Sequence, residues 1–161
     1  MQRAQKYGQI EKRILRNKFL QERNAMANDS VFEKSNQIVS ILFEQQIWQI
    51  ANHIHCYKSK GREVITEDII NRAEQEGKQV WYPGEYSSSN WPKTDLAIVP
   101  GVLFDNKGNR IGRGGGWYDK LLSSIVSYSI GLAYDYQIVE DISTEEHDVA
   151  VDMIITESRV I

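Results

Sequence analysis

The sequence is poor in features that would assign it to several common protein classes. Its 161 residues include one cysteine, Cys56, which excludes an internal disulfide. We interpret Cys56 as a buried thiol in a strand, with a nucleophile as the less favoured alternative. The N-terminus lacks the apolar segment of a secretory signal, and no apolar run reaches the ~20 residues of a membrane helix. A single cysteine also fits a reducing compartment, so we expect a cytoplasmic protein.

An excess of positive charge is also missing. Nineteen Lys and Arg residues stand against 22 Asp and Glu residues, which gives a net charge of -3. This balance argues against a nucleic-acid binder, whose domain usually carries a basic face. An alternative role stays open, in which Lys12, Arg13, Arg16 and Lys18 form a basic helix that retains RNA in a salt-sensitive way. We expect no nucleic-acid or membrane partner, and either a monomer or a homodimer.

What the sequence does contain is an alternation of helical and strand-like segments, in a length suited to one domain over residues 1–161. Apolar residues at helical spacing predict a helix over about 9–27 and a second one after a break at 28–30. Shorter apolar segments predict strands at 51–57, 79–82, 95–99, 128–133 and 152–156, with a short helix capped by Thr66 and another over about 117–126. The alternation predicts an α/β fold with a mostly parallel sheet.

A glycine cluster follows one predicted strand and precedes a helix. It carries four glycines within five residues, namely Gly112, Gly114, Gly115 and Gly116. Glycine allows positive φ and close approach to a ligand, and a helix N-terminus flanked by Arg110 and Arg113 favours an anion. The segment is neither a Walker A loop nor a Rossmann fingerprint, because Trp117 occupies the third small position of the latter. We predict a polyphosphate site, with a tight packing turn as the alternative.

The residues around these glycines resemble the signature of the 5-formyltetrahydrofolate cyclo-ligase family, also called methenyltetrahydrofolate synthetases. The similar run covers residues 100–122, PGVLFDNKGNRIGRGGGWYDKLL. Three shorter pieces match in the expected order, namely Lys-x-x-x-Arg at Lys12 and Arg16, an aromatic followed by Glu at Tyr57 and Glu63, and His-Asp-Val before a further Asp at 147–152. The resemblance covers nearly the whole chain. It implies a three-layer α/β/α sandwich of the sugar-phosphate isomerase and CoA-transferase type.

The resemblance also implies ATP and Mg²⁺ as cofactors and a reduced folate as substrate. The ATP-binding residues that it implies are Lys12, Arg16, Arg110, Gly112, Arg113, Gly114, Gly115, Gly116, Trp117 and Tyr118. Those for the folate are Tyr57, Lys58, Glu63 and Trp117, with Glu63 accepting N–H groups of the pterin, and those for the metal are Asp119 and Asp148. Structural interpretations stay open, with a solvated face for Lys12 and Arg16, a dipole partner for Asp119, and core packing for the aromatic residues. Lys58, Lys60 and Arg62 are either contacts for a polyglutamate tail or a solvated loop.

The activity that the resemblance implies is ATP- and Mg²⁺-dependent conversion of 5-formyltetrahydrofolate to 5,10-methenyltetrahydrofolate, with release of ADP and phosphate. It requires positioning and charge neutralisation, with no catalytic nucleophile and no catalytic role for His147. One segment departs from the family, because residues 84–94 replace a longer stretch with a Glu-Pro element beside the folate. Asn90-Trp91-Pro92 is at most a remnant of it. Either another element closes the site, for example one from a partner subunit, or the chain is a nucleotide-binding relative that lost folate binding or uses a different formylated or pterin substrate.

Overall fold

The computed structural model describes residues 2–161, with side chains from residue 8 onward. The helices are α1 (Gln2–Ala25), α2 (Asn28–Glu44), α3 (Gln46–Ile50), α4 (Glu67–Gln75) and α5 (Trp117–Leu122), and Asp135–Gln137 forms a 3₁₀ turn. The strands are β1 (His53–Cys56), β2 (Gln79–Trp81), β3 (Leu96–Pro100), β4 (Leu103–Asp105), β5 (Arg110–Ile111), β6 (Ser129–Leu132), β7 (Ile138–Val139) and β8 (Met153–Ile155).

Five strands form a central parallel sheet in the order β2-β1-β3-β6-β8. Parallel neighbours need a crossover connection, and α4 supplies it between β1 and β2. A second sheet, in the order β5-β4-β7, pairs β4 antiparallel to β5 and parallel to β7. The predicted α/β fold with a mostly parallel sheet is therefore confirmed.

Both faces of the central sheet are buried, which explains why its strands are almost continuously apolar. Ile54 and Ile98 belong to a core cluster that also contains Trp48 and residues of α2 and α4. Ala97 and Val99 belong to a second cluster, against which residues of α5 pack. Helices thus cover the sheet on both sides, as a three-layer sandwich requires.

The helix α1 connects the small sheet to the glycine loop, defined here as residues 112–116. Its apolar residues Leu15 and Phe19 pack with Leu103 and Ile111 of the small sheet. Lys12, Arg16 and Arg23 are four and seven residues apart, so they share one side of the helix. Within residues 2–161, no helix combines the length and the apolar character needed to cross a membrane.

Some predicted boundaries were wrong. The second helix was predicted to run through Trp48, but Gln45 is extended (φ -72, ψ 137) and separates α2 from α3. The helix predicted over 117–126 ends at Leu122. Thr66 does precede α4, yet its hydroxyl donates to the carbonyl of Tyr57 at 2.7 Å instead of capping the helix.

Candidate functional site

The glycine loop is held against α1 by a side-chain contact. Arg16 Nε donates to the carbonyl oxygen of Gly112 at 2.7 Å, and its guanidinium lies 3.7 Å from where a Cβ on Gly114 would be. Gly114 (φ +101) and Gly116 (φ +62) have left-handed backbone conformations that side chains disfavour. The course of this loop beside α1 therefore depends on glycine at these two positions.

A cavity of about 340 Å³ lies between α1, the glycine loop and the segment 145–148. Its walls are formed by Gln9, Lys12, Arg16, Arg23, Glu63, residues 100–102, residues 110–119, Glu145, His147 and Asp148. We call it the first cavity. It combines four basic side chains of α1 and β5 and the backbone of a glycine-rich loop, which suits a polyphosphate.

The basic and acidic residues of the first cavity pair with one another. Lys12 Nζ lies 2.5 Å from Asp148 Oδ2, and Arg110 donates to Asp119 Oδ1 at 3.0 Å. Burial opposes ionisation of Asp148, but hydrogen bonds from Lys12 and from the backbone of Glu145 outweigh it and lower the pKa of this carboxyl. Burial also lowers the pKa of Arg110, while Asp119 and Asp148 act in the opposite direction. The cations predicted for ATP thus neutralise the carboxylates predicted for the metal.

Backbone donors fix both carboxylates in place. Asp119 Oδ1 also accepts from the backbone of Val149 at 3.1 Å, and Asp148 Oδ2 accepts from Glu145 at 2.8 Å. In the part of the chain that the structure describes, no group of three or more His, Cys, Asp or Glu side chains is arranged to hold a metal ion. A metal at Asp119 and Asp148 would therefore complete its coordination with oxygens of a bound molecule and water.

A second cavity, of about 460 Å³, adjoins the first one. Its walls are Tyr57, Lys58, Lys60, Glu63, residues 82–85, Pro100 and Arg113. Glu63, Pro100 and Arg113 belong to both cavities. The two spaces thus meet at one carboxylate and one guanidinium.

Glu63 is held by three groups at this junction. Its Oε1 accepts from Arg113 at 2.9 Å and lies 3.8 Å from a guanidinium nitrogen of Arg23, while Oε2 accepts from the backbone of Lys60 at 2.9 Å. The Glu63 side chain is 10% exposed, whereas that of Arg113 is 63% exposed. The buried carboxylate of Glu63 therefore has two cationic partners, the buried Arg23 and the solvent-exposed Arg113.

The aromatic residues predicted for the folate lie in two places. Tyr57 is buried in the core cluster of Ile54, its hydroxyl donates to the carbonyl of Val64 at 3.0 Å, and the residue also borders the second cavity. Lys58 Nζ lies 4.0 Å from the ring centre of Tyr82 on the same wall. This geometry is a cation–π contact.

Trp117 and Tyr118 border the first cavity instead. The Trp117 ring lies 5.3 Å from that of Trp91, 4.8 Å from Tyr118 and 5.3 Å from His55. Trp91 belongs to the shortened segment 84–94. This segment therefore supports one wall of the site despite its length.

The structure brings together the predicted site residues, with the exception of Arg62. The first cavity is lined by Lys12, Arg16, Arg110, the glycine loop, Trp117, Tyr118, Asp119 and Asp148. The second cavity is lined by Tyr57 and Lys58, and Glu63 and Arg113 line both cavities. Arg62 is directed elsewhere, since its Nε donates to the carbonyl of Met26 at 2.5 Å. His147 is 70% exposed at the rim.

Two residues of the first cavity were missed by the sequence reasoning. Arg23 is buried, contacts Glu63, and donates to the carbonyl of Gly101 at 3.3 Å. Its position seven residues after Arg16 was a usable signal, because both then lie on one helix side. Glu145, which lies 3.7 Å from Lys12, had no comparable signal.

Comparisons with known proteins place this chain in a known family. A model of the 5-formyltetrahydrofolate cyclo-ligase family matches residues 9–90 and 83–157. The two matched parts overlap at 83–90, around the start of the segment 84–94 that was predicted to be shortened. Together they include most of the chain.

Individual relatives agree with the family match. The chain is 28% identical to 5-formyltetrahydrofolate cyclo-ligase of Mus musculus, over 91% of this chain and 93% of the mouse protein. It is 26% identical to that of Escherichia coli (strain K12), over 87% and 97% of the two chains. Among solved structures, 5,10-methenyltetrahydrofolate synthetase from Mycoplasma pneumoniae superimposes with a TM-score of 0.80 at 24% identity, covering 91% of this chain and 99% of that one.

Proposed function

Because the chain belongs to the 5-formyltetrahydrofolate cyclo-ligase family, we propose that it converts 5-formyltetrahydrofolate to 5,10-methenyltetrahydrofolate with ATP. The formyl oxygen attacks the γ-phosphorus of ATP, and the bond to the ADP oxygen breaks. N10 of the folate then attacks the carbon of the resulting iminium phosphate. Loss of phosphate and of the N10 proton leaves the methenyl product, beside ADP.

The observation that carries this proposal is the meeting of two cavities at Glu63, Pro100 and Arg113. The reaction requires ATP and the folate to be bound side by side, because the γ-phosphate of ATP must reach the formyl group of the folate. A basic cavity with a glycine loop suits the nucleotide, and an adjoining cavity with a carboxylate and aromatic side chains suits the pterin. Holding the two reactants in contact supplies much of the rate enhancement in such a reaction.

At the nucleotide end, we assign the phosphates to Lys12, Arg16 and Arg110 and to backbone N–H groups of the glycine loop. Arg16 already touches the loop through Gly112. Because α5 spans only Trp117–Leu122, the contribution of its dipole is smaller than a longer helix would give. Charged side chains and loop amides therefore carry most of the stabilisation of the transferred phosphoryl group.

We assign Mg²⁺ to Asp119 and Asp148, which both line the first cavity. Their oxygens are the ligand type that Mg²⁺ prefers, and Mg²⁺ commonly uses one or two carboxylates together with phosphate oxygens and water. Each carboxylate pairs with a basic side chain, Asp148 with Lys12 and Asp119 with Arg110. We propose that these pairs separate on binding, when the carboxylates face the metal and the cations face the phosphates.

At the folate end, we assign the N–H groups of the pterin to Glu63, because a carboxylate can accept from two donors. Trp117 offers a flat face for a ring, and Trp91 packs against it from the shortened segment. Lys58 and Lys60 border the second cavity and suit a glutamate tail. Arg62 has no part in this assignment because it contacts Met26. We propose a cytoplasmic location, because a chain with a single cysteine forms no internal disulfide and so fits a reducing compartment.

The experiment is an absorbance assay for the methenyl product with 5-formyltetrahydrofolate, ATP and Mg²⁺, in which ADP is measured in parallel. We expect one ADP per methenyl product and no product when ATP is omitted. Absence of product at high concentrations of folded protein would overturn the proposal. The alternative of a nucleotide-binding relative predicts that ATP raises the melting temperature while reduced folates leave it unchanged.

A further inference from the structure

The ion pair between Glu63 and Arg113 stands at the boundary of the two cavities. Each residue contributes to the walls of both. In the free protein, Arg113 donates to Oε1, the oxygen of Glu63 that lies open to a pterin N–H group once Arg113 moves away. The other oxygen, Oε2, is already engaged by the backbone of Lys60. Arg113 and the pterin therefore compete for one acceptor.

Arg113 is able to leave this acceptor. Its side chain is 63% exposed, and its backbone lies between Gly112 and Gly114, where the chain has unusual conformational freedom. The same residue borders the first cavity, where the phosphates of ATP would bring several negative charges. Phosphate oxygens accept from guanidinium groups in a strong, bidentate geometry. A bound nucleotide therefore offers Arg113 a better partner than Glu63.

Glu63 keeps two partners after Arg113 has left. Arg23 lies 3.8 Å from Oε1 on a buried helix side, and the backbone N–H of Lys60 still donates to Oε2. These two contacts balance the buried negative charge while Oε1 becomes free to accept from a ligand.

We propose that Arg113 couples the two ligand sites: it closes the Glu63 acceptor in the free protein and opens it when its guanidinium turns to a bound nucleotide. This inference rests on the proposed function. It predicts that ATP tightens folate binding, and that folate tightens ATP binding by the same factor, because coupling between sites is reciprocal. The sign is diagnostic. Two anionic ligands in adjoining cavities repel each other, so direct electrostatics would weaken the second ligand.

The test measures binding of 5-formyltetrahydrofolate by calorimetry, with and without Mg²⁺ and the β,γ-methylene analogue of ATP, which does not transfer its terminal phosphoryl group. In the wild type, we expect the analogue to tighten folate binding by about fivefold, at the low end of measured couplings. The Arg113→Met side chain keeps much of the length of arginine but lacks its charge. Without the analogue, this variant should bind folate more tightly than the wild type does. The analogue should then give no further gain.

Arg113→Lys is the matched control, because it retains a cation at the junction and should retain part of the coupling. A merely structural role of Arg113 would lower both affinities without changing their ratio, and melting curves report whether each variant folds. Equal coupling in the wild type and Arg113→Met, or weaker folate binding with the analogue in the wild type, overturns the inference. Wild-type turnover in the assay with no coupling refutes the inference alone. A wild type that binds no reduced folate with or without the analogue refutes the proposed function together with it.

Discussion

Between pH 8 and pH 5, His55 should lower the free energy of unfolding by about 2 kcal/mol. Its imidazole is fully buried in β1, with ring centres 4.5 Å from Trp81 and 5.3 Å from Trp117. Neither ring nitrogen has a hydrogen-bond partner among the side chains and backbone that the structure describes. Burial lowers the pKa of His55 to about 3, because a charged ring here would lose its hydration without gaining a counter-charge.

The magnitude follows from proton uptake in the two states. An unfolded histidine titrates near pH 6.5, whereas native His55 stays neutral down to about pH 3. The unfolded state therefore binds more protons in this window, and stability falls as the pH falls, by up to about 1.4 kcal/mol per pH unit. The contribution is almost fully present above pH 7 and is lost progressively as the pH falls through 6.5. At pH 5 the accumulated loss is about 2 kcal/mol, whereas at pH 7 it is only about 0.2 kcal/mol.

The assay is urea unfolding followed by tryptophan fluorescence from pH 8 to pH 5. His55→Gln and His55→Leu carry no titratable group, so both should lose this part of the pH dependence while all other groups contribute as in the wild type. At pH 8, His55→Leu should exceed His55→Gln in stability by about 1–3 kcal/mol, because it buries no unpaired polar group. His147→Gln controls for removal of an exposed histidine. If His55→Gln keeps the wild-type difference between pH 8 and pH 5, the reasoning is wrong.

Three further predictions concern the site and its supports. Asp119→Asn should lower Mg²⁺-dependent turnover on the order of 100-fold, whereas Asp141→Asn, on an exposed loop, should leave turnover unchanged. Glu63→Gln should raise the KM for the folate by roughly 10–100-fold, the size of a charged hydrogen bond, while ATP binding measured by thermal shift stays close to the wild type. A silent Glu63→Gln would refute the pterin role. Gly108→Ala should lower the melting temperature much more than Gly77→Ala. Both have positive φ, but a Cβ at Gly108 would lie 2.3 Å from the backbone oxygen of Val151, whereas around Gly77 the described residues leave the space open.

Most of the fold could be predicted from the sequence because its strands are short apolar segments between helical patterns. Leu96–Pro100, for example, is buried on both faces and bounded by turn residues. The break at Gln45 could not be predicted, since the helical pattern continues across it. Trp48, which follows the break, is fully buried beside Phe43, and such packing leaves no local signal. The two-residue strand Ile138–Val139 exists only through its pairing with β4, and the sequence carries no local signal for that.

The site was predictable where a motif is continuous along the chain and less so where contacts are long-range. The glycine loop is one run of residues, and its position after a strand indicated its role. The contact between Glu63 and Arg113 joins residues 50 positions apart, and no periodicity reports such a pair. The pairing of Lys12 with Asp148, 136 positions apart, was equally hidden, although each residue had been assigned to the same site by the resemblance.

The mutual pairing of Lys12 with Asp148 and of Arg110 with Asp119 has a consequence for how fast a nucleotide arrives. Paired charges cancel at distances beyond the Debye length of about 8–10 Å, so the first cavity of the free protein projects little net field into the solvent. Long-range steering, which speeds association and weakens steeply with added salt, is therefore small here. The association rate constant for ATP–Mg²⁺ should change little between low and physiological ionic strength. The dissociation rate constant should rise with salt. In the bound state Lys12 and Arg110 have left their carboxylates and contact the phosphates, and added salt weakens these contacts.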